Sequence, residues 1–262
     1  MVYEPPSRWD RRVDVLVIGS GTGLAAALAA DDGGADVLVL EKAPLIGGTT
    51  AVSGGGSWVP NSRPVRENGA EVPREELPGY LRRITGGRTP EAKLQRYVDE
   101  APEVFEFLEA TTALTFVHAV GTADYHAEFE GGSIEGHVIV PDIYDGRRLG
   151  DRLDDVRRSP HLAPVTYEEI EAAGGSDPTR ANEAMFEAIR ERREADQLSV
   201  GMTLVVGLYE ALLDRGVEFE REAPASSLVV DDGRVIGVVA EIDGEETVVE
   251  AVAVVIAVGG LE

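Results

Sequence analysis

The chain has 262 residues, a formal net charge of −24 and no cysteine. This length can bury one sizeable core, organised as one or two domains. The negative charge would repel nucleic-acid phosphates and anionic lipids, so neither is an expected partner. Without cysteine there is no thiolate nucleophile and no cysteine-ligated metal, so any redox chemistry needs a bound cofactor.

The sequence also indicates a compartment. No stretch approaches the ~20 consecutive apolar residues of a membrane span, and the charged residues from Arg8 to Arg12 do not resemble a signal peptide. A cytoplasmic location is therefore expected. Lysine occurs only at Lys42 and Lys93, while acidic residues are dispersed along the chain. That pattern is typical of proteins from salt-loving cytoplasms, where screening weakens self-repulsion.

A βαβ unit opens the chain. Residues 13–18 predict a strand, residues 24–30 a helix and residues 37–40 a second strand, with both strands in a buried parallel sheet. Residues 43–60 are dense in Gly, Ser and Thr, which predicts a binding loop.

The middle of the chain predicts a helical excursion. Apolar residues at helical spacing indicate helices at 75–84 and 90–108. Residues 109–180 are expected to be irregular, and residues 204–213 to form another helix.

The last part of the chain predicts antiparallel and then buried strands. Strands at 227–230, 235–242 and 247–251 form a β-meander that turns at Asp232-Gly233 and Asp243-Gly244. Residues 252–258 are expected to return as a buried strand that ends at Gly259-Gly260.

A dinucleotide phosphate turn is predicted between the first strand and helix. Gly19-Ser20-Gly21-Thr22-Gly23 would let the backbone approach a pyrophosphate, with the helix N–H groups facing its charge. The third glycine of G-x-G-x-x-G falls on Leu24, and Gly23 stands one place early. On the motif alone, a plain tight turn is the alternative.

Glu41 supplies the second half of this signal. It ends the second strand at 41 − 21 = 20 residues past Gly21, where a carboxylate accepts ribose hydroxyls. A solvated strand-end glutamate is the alternative. The carboxylate would repel the 2′-phosphate of NADP, which leaves FAD or NAD. The loop at 43–60 favours a flavin, because its backbone donors can reach the flavin ring.

Two segments, VDVLVIGSGTGLAAALAA and VLVLEKAPLIGGTTAVSGGGSWVPN, resemble the fumarate reductase and 3-ketosteroid Δ1-dehydrogenase superfamily of flavoproteins. Ser53-Gly54-Gly55 followed by Trp58-Val59-Pro60 is more similar to the ketosteroid dehydrogenase branch. Further matches to that branch are Asp124-Tyr125-His126 and residues 144–150, 231–238 and 257–262. The resemblance therefore runs from end to end.

The resemblance implies FAD as the cofactor and a small-molecule substrate such as a steroid. It implies a Rossmann-like α/β FAD-binding domain over 1–262, with the βαβ unit and flavin loop at 12–60, the helical and irregular excursion at 61–200, and the helix, meander and closing strand at 201–262. The implied cofactor contacts are Gly19, Ser20, Gly21, Thr22 and Gly23 for the pyrophosphate, Glu41 and Lys42 for the ribose, Gly48, Thr49, Thr50, Ala51, Ser53, Gly54 and Gly55 for the phosphate, ribityl and ring, Ala225 for the adenine, and Gly259.

Tyr125 matches a tyrosine that, in the steroid enzymes, lies beside the flavin ring and supports the catalytic base. A phenol has an unperturbed pKa of about 10, so its neighbours must lower the pKa for it to take up a proton near neutrality. A partly buried aromatic residue is the alternative reading. His118, His126, His137 and His161 lack metal-ligand spacing, and no metal is expected.

By the same resemblance, a capping domain and a last FAD-binding segment follow the Gly259-Gly260 strand, and residues 1–262 contain neither. The chain is therefore expected to be incomplete alone, as half of a split enzyme, a truncated product or a fragment. A second chain that supplies the cap, or self-association, is expected at apolar groups around Trp58, Val59 and Tyr125 and at residues 257–260.

Three functions stay open on the sequence. The first is ketosteroid Δ1-type dehydrogenation, with hydride transfer to flavin N5. The second is reduction of an unsaturated acid such as fumarate. The third is a flavin-binding subunit without activity of its own.

Overall fold

The computed structural model describes residues 2–159, 162–173 and 183–260. The chain divides into two compact units. The first comprises Met1–Ser53, Arg148–Pro160 and Leu204–Glu262, and the second comprises Gly54–Arg147 and His161–Thr203. The excursion expected at 61–200 thus lies mainly in the second unit, while residues 148–160 belong to the first.

The described chain contains twelve strands and seven α-helices in mixed order. The strands are β1 (Val2–Tyr3), β2 (Arg11–Ile18), β3 (Val37–Leu40), β4 (Ser57–Trp58), β5 (Phe116–His118), β6 (Val138–Pro141), β7 (Tyr144–Asp145), β8 (Gln197–Leu198), β9 (Glu218–Glu220), β10 (Ala225–Asp231), β11 (Arg234–Ile242) and β12 (Glu245–Ile256). The helices are α1 (Gly23–Asp32), α2 (Arg63–Glu67), α3 (Leu77–Ile84), α4 (Glu91–Thr111), α5 (Tyr167–Ala172), α6 (Glu183–Glu194) and α7 (Val200–Asp214). Short 3₁₀ segments lie at Thr50–Val52 and Gly146–Asp155.

A seven-stranded mixed sheet forms the first unit, in the order β1-β10-β11-β12-β2-β3-β9. Strands β12, β2, β3 and β9 run parallel. The predicted βαβ unit is confirmed as β2, α1 and β3. Its strands are rich in apolar residues, as expected for a parallel sheet covered on both faces. A core cluster of Leu16, Leu38 and Leu40 packs with Val238 and Val249.

The predicted meander is confirmed as β10, β11 and β12. Both two-residue turns have positive φ at their central positions, with 45° and 76° at Asp232 and Gly233 and 53° and 78° at Asp243 and Gly244. Such turns match the twist of antiparallel strands and favour Asp-Gly.

The closing strand differs from its prediction in two ways. Residues 247–251 and 252–258 were expected as separate strands, but β12 runs continuously from Glu245 to Ile256. It pairs with β11 through Glu250 and in parallel with β2 from Val249 to Ile256. The strand was also expected to be buried, yet Val252, Ile256 and Val258 are each more than half exposed.

The second unit contains more strands than the sequence predicts. A three-stranded antiparallel sheet has the order β4-β6-β5, and β7 pairs with β8. Part of the stretch at 109–180 is therefore regular, although residues 174–180 lie outside the described ranges. The predicted helices are α3 and α4, and Tyr80 and Leu81 of α3 pack against Leu94 and Val98 of α4. Within the described residues, no helix is long and apolar enough to cross a membrane.

Candidate cofactor site

The turn after β2 contains two glycines that leave no room for a side chain. Gly19 has a φ of 101°, and a Cβ there would lie 2.3 Å from the carbonyl oxygen of Ala257. Gly23 begins α1, and a Cβ there would lie 2.9 Å from Val17 Cγ1. Close packing of helix on strand is the role of the third motif glycine. Gly23 fills that role one place early, and Leu24 enters the core.

The N-terminus of α1 offers free hydrogen-bond donors. Thr22 precedes the helix without a side-chain cap, and the first turn has no acidic residue. The backbone N–H groups of Gly21, Thr22 and Gly23 donate to no other residue in the described ranges. Free N–H groups and the helix dipole favour an anion at such an end. This turn therefore fits a pyrophosphate.

Ser20 is fully buried, and its polar groups are engaged within the protein. Its hydroxyl donates to Glu41 Oε2 at 2.5 Å and accepts from the N–H of Gly47 at 2.9 Å. Its own N–H donates to the same carboxylate oxygen at 3.0 Å. These bonds engage the donors of Ser20 within the protein and position the turn, and the pyrophosphate contact that the resemblance implies stays a prediction.

Glu41 is only 6% exposed, and both of its carboxylate oxygens accept hydrogen bonds. Oε2 accepts both donors of Ser20, and Oε1 accepts the N–H of Ala43 at 2.9 Å. A carboxylate has about four acceptor positions, so one position stays for a ribose hydroxyl. The neighbouring Lys42 is exposed.

The flavin loop begins against the phosphate turn. Thr50 Oγ1 lies 2.9 Å from the position of a Cβ on Gly21, and Ala51 Cβ lies 2.7 Å from that of Gly47. The Ser53 hydroxyl donates to the Thr50 carbonyl at 2.8 Å. Two further predicted residues, Gly48 and Thr49, lie within this stretch, Gly48 half-buried and Thr49 exposed.

Two other chain segments lie beside this turn. The N–H of Ala223 donates to the Glu41 carbonyl at 2.9 Å, which brings the segment before Ala225 beside the ribose carboxylate. The N–H of Ala257 donates to the Ile18 carbonyl at 2.8 Å, two residues before Gly259. The first unit therefore brings together four distant stretches of sequence that carry predicted residues, whereas Gly54 and Gly55 belong to the second unit.

The family described as the FAD binding domain matches residues 14–262. The chain belongs to this family. Its cofactor is FAD.

Three similar proteins extend this assignment. A 4-oxocyclohexanecarboxylate 2-dehydrogenase from Sinomonas cyclohexanicum is 35% identical over 257 residues, which are 95% of this chain and 43% of the relative. A 3-oxosteroid 1-dehydrogenase from Mycolicibacterium smegmatis is 30% identical over 240 residues, which are 86% of this chain and 42% of the relative. The crystal structure of the 3-ketosteroid Δ1-dehydrogenase from Sterolibacterium denitrificans, in complex with 1,4-androstadiene-3,17-dione, superposes with a TM-score of 0.86 at 29% identity and covers 95% of this chain and 48% of that chain.

The chain spans less than half the length of the relatives that it matches. In those relatives the remaining length lies in the same polypeptide. They therefore give no support to the separate second chain that the sequence led us to expect.

In the second unit, a buried carboxylate holds the segment that carries Tyr125. Asp124 Oδ1 accepts from Trp58 Nε1 at 2.9 Å and from the N–H of His137 at 3.0 Å. Asp124 Oδ2 accepts from the N–H of Ser133 at 3.1 Å and lies 2.6 Å from His137 Nδ1. The next residue, Tyr125, is fully exposed. The network fixes the backbone while the phenol stays open to solvent.

Of the three side chains expected to form an exposed apolar surface, Tyr125 is exposed, but Trp58 and Val59 are not. Val59 is fully buried, and Trp58 is half-buried in a stack with Tyr80 and Tyr97 at centroid distances of 5.5 Å and 6.2 Å. Aromatic stacking within the unit satisfies these side chains. The other expected site of exposure, at the end of β12, does have exposed apolar side chains.

Three histidines are described, two of them buried and the third, His126, exposed beside Glu128. His118 and His137 are buried, and His118 Nε2 lies 3.0 Å from the Gly136 carbonyl. His161 falls outside the described residues. Among the described residues, no group of three or more His, Asp or Glu side chains could hold a metal ion.

The Asp124 network predicts an acid-sensitive contribution to stability. Burial alone would raise the pKa of Asp124, but hydrogen bonds and charge from His137, with a hydrogen bond from Ser133, lower it below 3.8. Because the folded-state pKa is depressed, this stability is present above about pH 4 and is lost as pH falls through the folded value. We expect the free energy of unfolding of the unmodified protein to exceed that of Asp124→Asn at neutral pH, with a gap that narrows in acid. Urea denaturation at several pH values measures this difference in the free energy of unfolding. A difference that does not change with pH would contradict the proposed role of Asp124.

Sequence reasoning did not select Tyr167, the first residue of α5. Its phenol oxygen lies 3.0 Å from the position that a Cβ would take on Gly54. A tyrosine outside any motif gives no sequence signal, because the proximity arises from the packing of the second unit.

Proposed function

We propose that the protein is an FAD-dependent dehydrogenase that desaturates a carbon–carbon bond beside a ring ketone. The names of the two relatives carry this proposal. In a 4-oxocyclohexane dehydrogenated at position 2, and in a 3-oxosteroid dehydrogenated at position 1, the new double bond is conjugated with the ring carbonyl. The substrate class is therefore a cyclic ketone, with steroids and single-ring keto acids as its two members.

The roles of this chain's residues follow from their contacts. The N–H groups of Gly21, Thr22 and Gly23 bind the FAD pyrophosphate, and Glu41 accepts a ribose hydroxyl while Ser20 holds it. When bound, FAD supplies the hydride acceptor. The loop through Thr50 lies against the turn and continues the binding surface.

Tyr125 is the proposed catalytic residue of this chain. A ring carbonyl makes the adjacent C–H acidic, so a phenolate is a suitable base or a suitable partner for one. Tyr125 is fully exposed, and the buried Asp124 network fixes its backbone. Both features suit a residue that meets a substrate from solvent.

Two alternatives have distinct requirements. Reduction of an unsaturated acid such as fumarate needs cationic groups for two carboxylates. A flavin-binding subunit without its own activity needs only the turn, Glu41 and the loop. The cytoplasmic location, the salt-loving habitat and self-association stay predictions from the sequence.

Anaerobic flavin spectroscopy tests the proposal. The purified protein is loaded with FAD and mixed with a 3-ketosteroid, with 4-oxocyclohexanecarboxylate, or with dithionite followed by fumarate. We expect only weak bleaching of the flavin by a cyclic ketone, because the chain spans less than half the length of its relatives, and no change of the reduced flavin with fumarate. Reoxidation by fumarate with no bleaching by either ketone would support the reductase instead. No reaction in any arm, with FAD bound, would favour the non-catalytic subunit.

A further inference from the structure

The glycine run of the flavin loop contacts a phenol from a distant part of the second unit. Tyr167 Oη lies 3.0 Å from the Cβ position of Gly54 and 3.9 Å from that of Gly56. A Cβ on Gly54 would crowd the phenol oxygen, so the absence of a side chain there lets the oxygen lie this close to the loop.

The phenol oxygen is available to a ligand. Tyr167 is half-buried, and its hydroxyl makes no hydrogen bond to any residue in the described ranges. Burial, and then the charge of nearby Tyr125, raise the pKa of Tyr167 above 10.0. The group therefore stays a neutral hydrogen-bond donor at neutral pH.

The position of Tyr167 is well fixed. Thr166 caps α5 by accepting from the N–H of Glu169 at 3.1 Å, and Glu169 accepts in return from the N–H of Thr166 at 2.9 Å. Arg192 clamps the same carboxylate with two bonds of 2.6 Å. The ring also lines a small cavity with Val140. A reciprocal cap and a bidentate ion pair restrict the motion of the first turn of α5. They therefore hold the Tyr167 side chain in position for contact with a ligand.

We propose that Tyr167 is a cofactor-binding residue, whose hydroxyl donates a hydrogen bond to the isoalloxazine ring seated on the Gly54–Gly56 run. This deepens the proposed function, and it rests on the assignment of the loop to the flavin. A neutral donor fixed beside a glycine backbone matches the carbonyl and nitrogen acceptors at the edge of that ring. Tyr125, which lies nearby, is left for the substrate.

The test is FAD affinity, measured by flavin fluorescence titration, together with the visible spectrum of bound flavin. Tyr167→Phe should weaken binding about five-fold, the loss of one hydrogen bond, and should shift the flavin absorption bands. Tyr97→Phe is the matched control, because its hydroxyl donates to the Trp58 carbonyl in the same unit. That control should leave affinity and spectrum unchanged.

A double variant tests the contact itself. Gly54→Ala adds a Cβ 3.0 Å from the phenol oxygen and should weaken FAD binding, and Tyr167→Phe in the same chain should recover part of that loss. Unchanged affinity and spectrum in Tyr167→Phe, with normal FAD binding by the unmodified protein, would overturn this inference alone. Failure of the unmodified protein to bind FAD would overturn it together with the proposed function.

Discussion

Replacing Glu41 with lysine is expected to abolish FAD retention. The carboxylate accepts three hydrogen bonds from Ser20 and Ala43, and an ammonium group accepts none. Loss of the hydrogen bond from a ribose hydroxyl to a charged acceptor costs about 1.5–3 kcal/mol, roughly 10- to 100-fold in affinity, and displacement of the phosphate turn adds to this loss. The purified variant should be colourless, as measured by flavin absorbance against protein concentration.

The same substitution should also affect the fold. Glu41 is buried and holds the phosphate turn. We therefore expect a lower melting temperature as well. Glu41→Gln is the control, because its amide oxygen still accepts hydrogen bonds and the fold should persist with weakened FAD binding. A yellow Glu41→Lys protein with one FAD per chain would refute the assignment.

Gly19→Ala is expected to damage both stability and cofactor binding. Its φ of 101° disfavours any side chain, and the added Cβ would lie 2.3 Å from the Ala257 carbonyl oxygen. Backbone strain and overpacking together should lower the free energy of unfolding by roughly 2–5 kcal/mol. The collision also moves the phosphate turn, so FAD affinity should fall in the same variant.

Gly34→Ala separates these two causes. Gly34 also has a positive φ, of 83°, but no atom lies within 4 Å of its Cβ position. This variant should lose only about 1 kcal/mol from strain and should retain FAD. Urea denaturation and flavin titration of both variants provide the comparison. Equal losses in the two proteins would show that contact with Ala257 is unimportant.

The sequence predicts the local features of the first unit well, because each depends on neighbouring residues. Alternation of apolar runs and glycines locates β2, α1 and β3, and the two Asp-Gly pairs locate the hairpins. The strands of the second unit were missed. With two to four residues each, β4, β5 and β6 are too short to show a periodic pattern.

In the cofactor site too, features set by neighbouring residues could be predicted and features set by tertiary packing could not. Glu41 and the glycine turn were predicted because spacing along the chain defines them. The bond from Ser20 to Glu41 spans 21 residues and depends on the relation between two strands, so no motif contains it. The position of Tyr167 beside Gly54 depends on packing between segments that are even farther apart in sequence. The run at 252–258 is apolar enough to suggest burial, yet hydrophobicity alone does not specify which face is covered.

The bonds among Ser20, Glu41 and Gly47 also bear on the rate of FAD capture. They join protein groups only, so we expect them to hold the ribose carboxylate in place before FAD arrives. Association should then follow a single exponential whose rate rises linearly with FAD concentration, without a slow isomerisation phase. Removing the hydroxyl with Ser20→Ala leaves Glu41 to be ordered after encounter, and the rate should then level off at high FAD concentration.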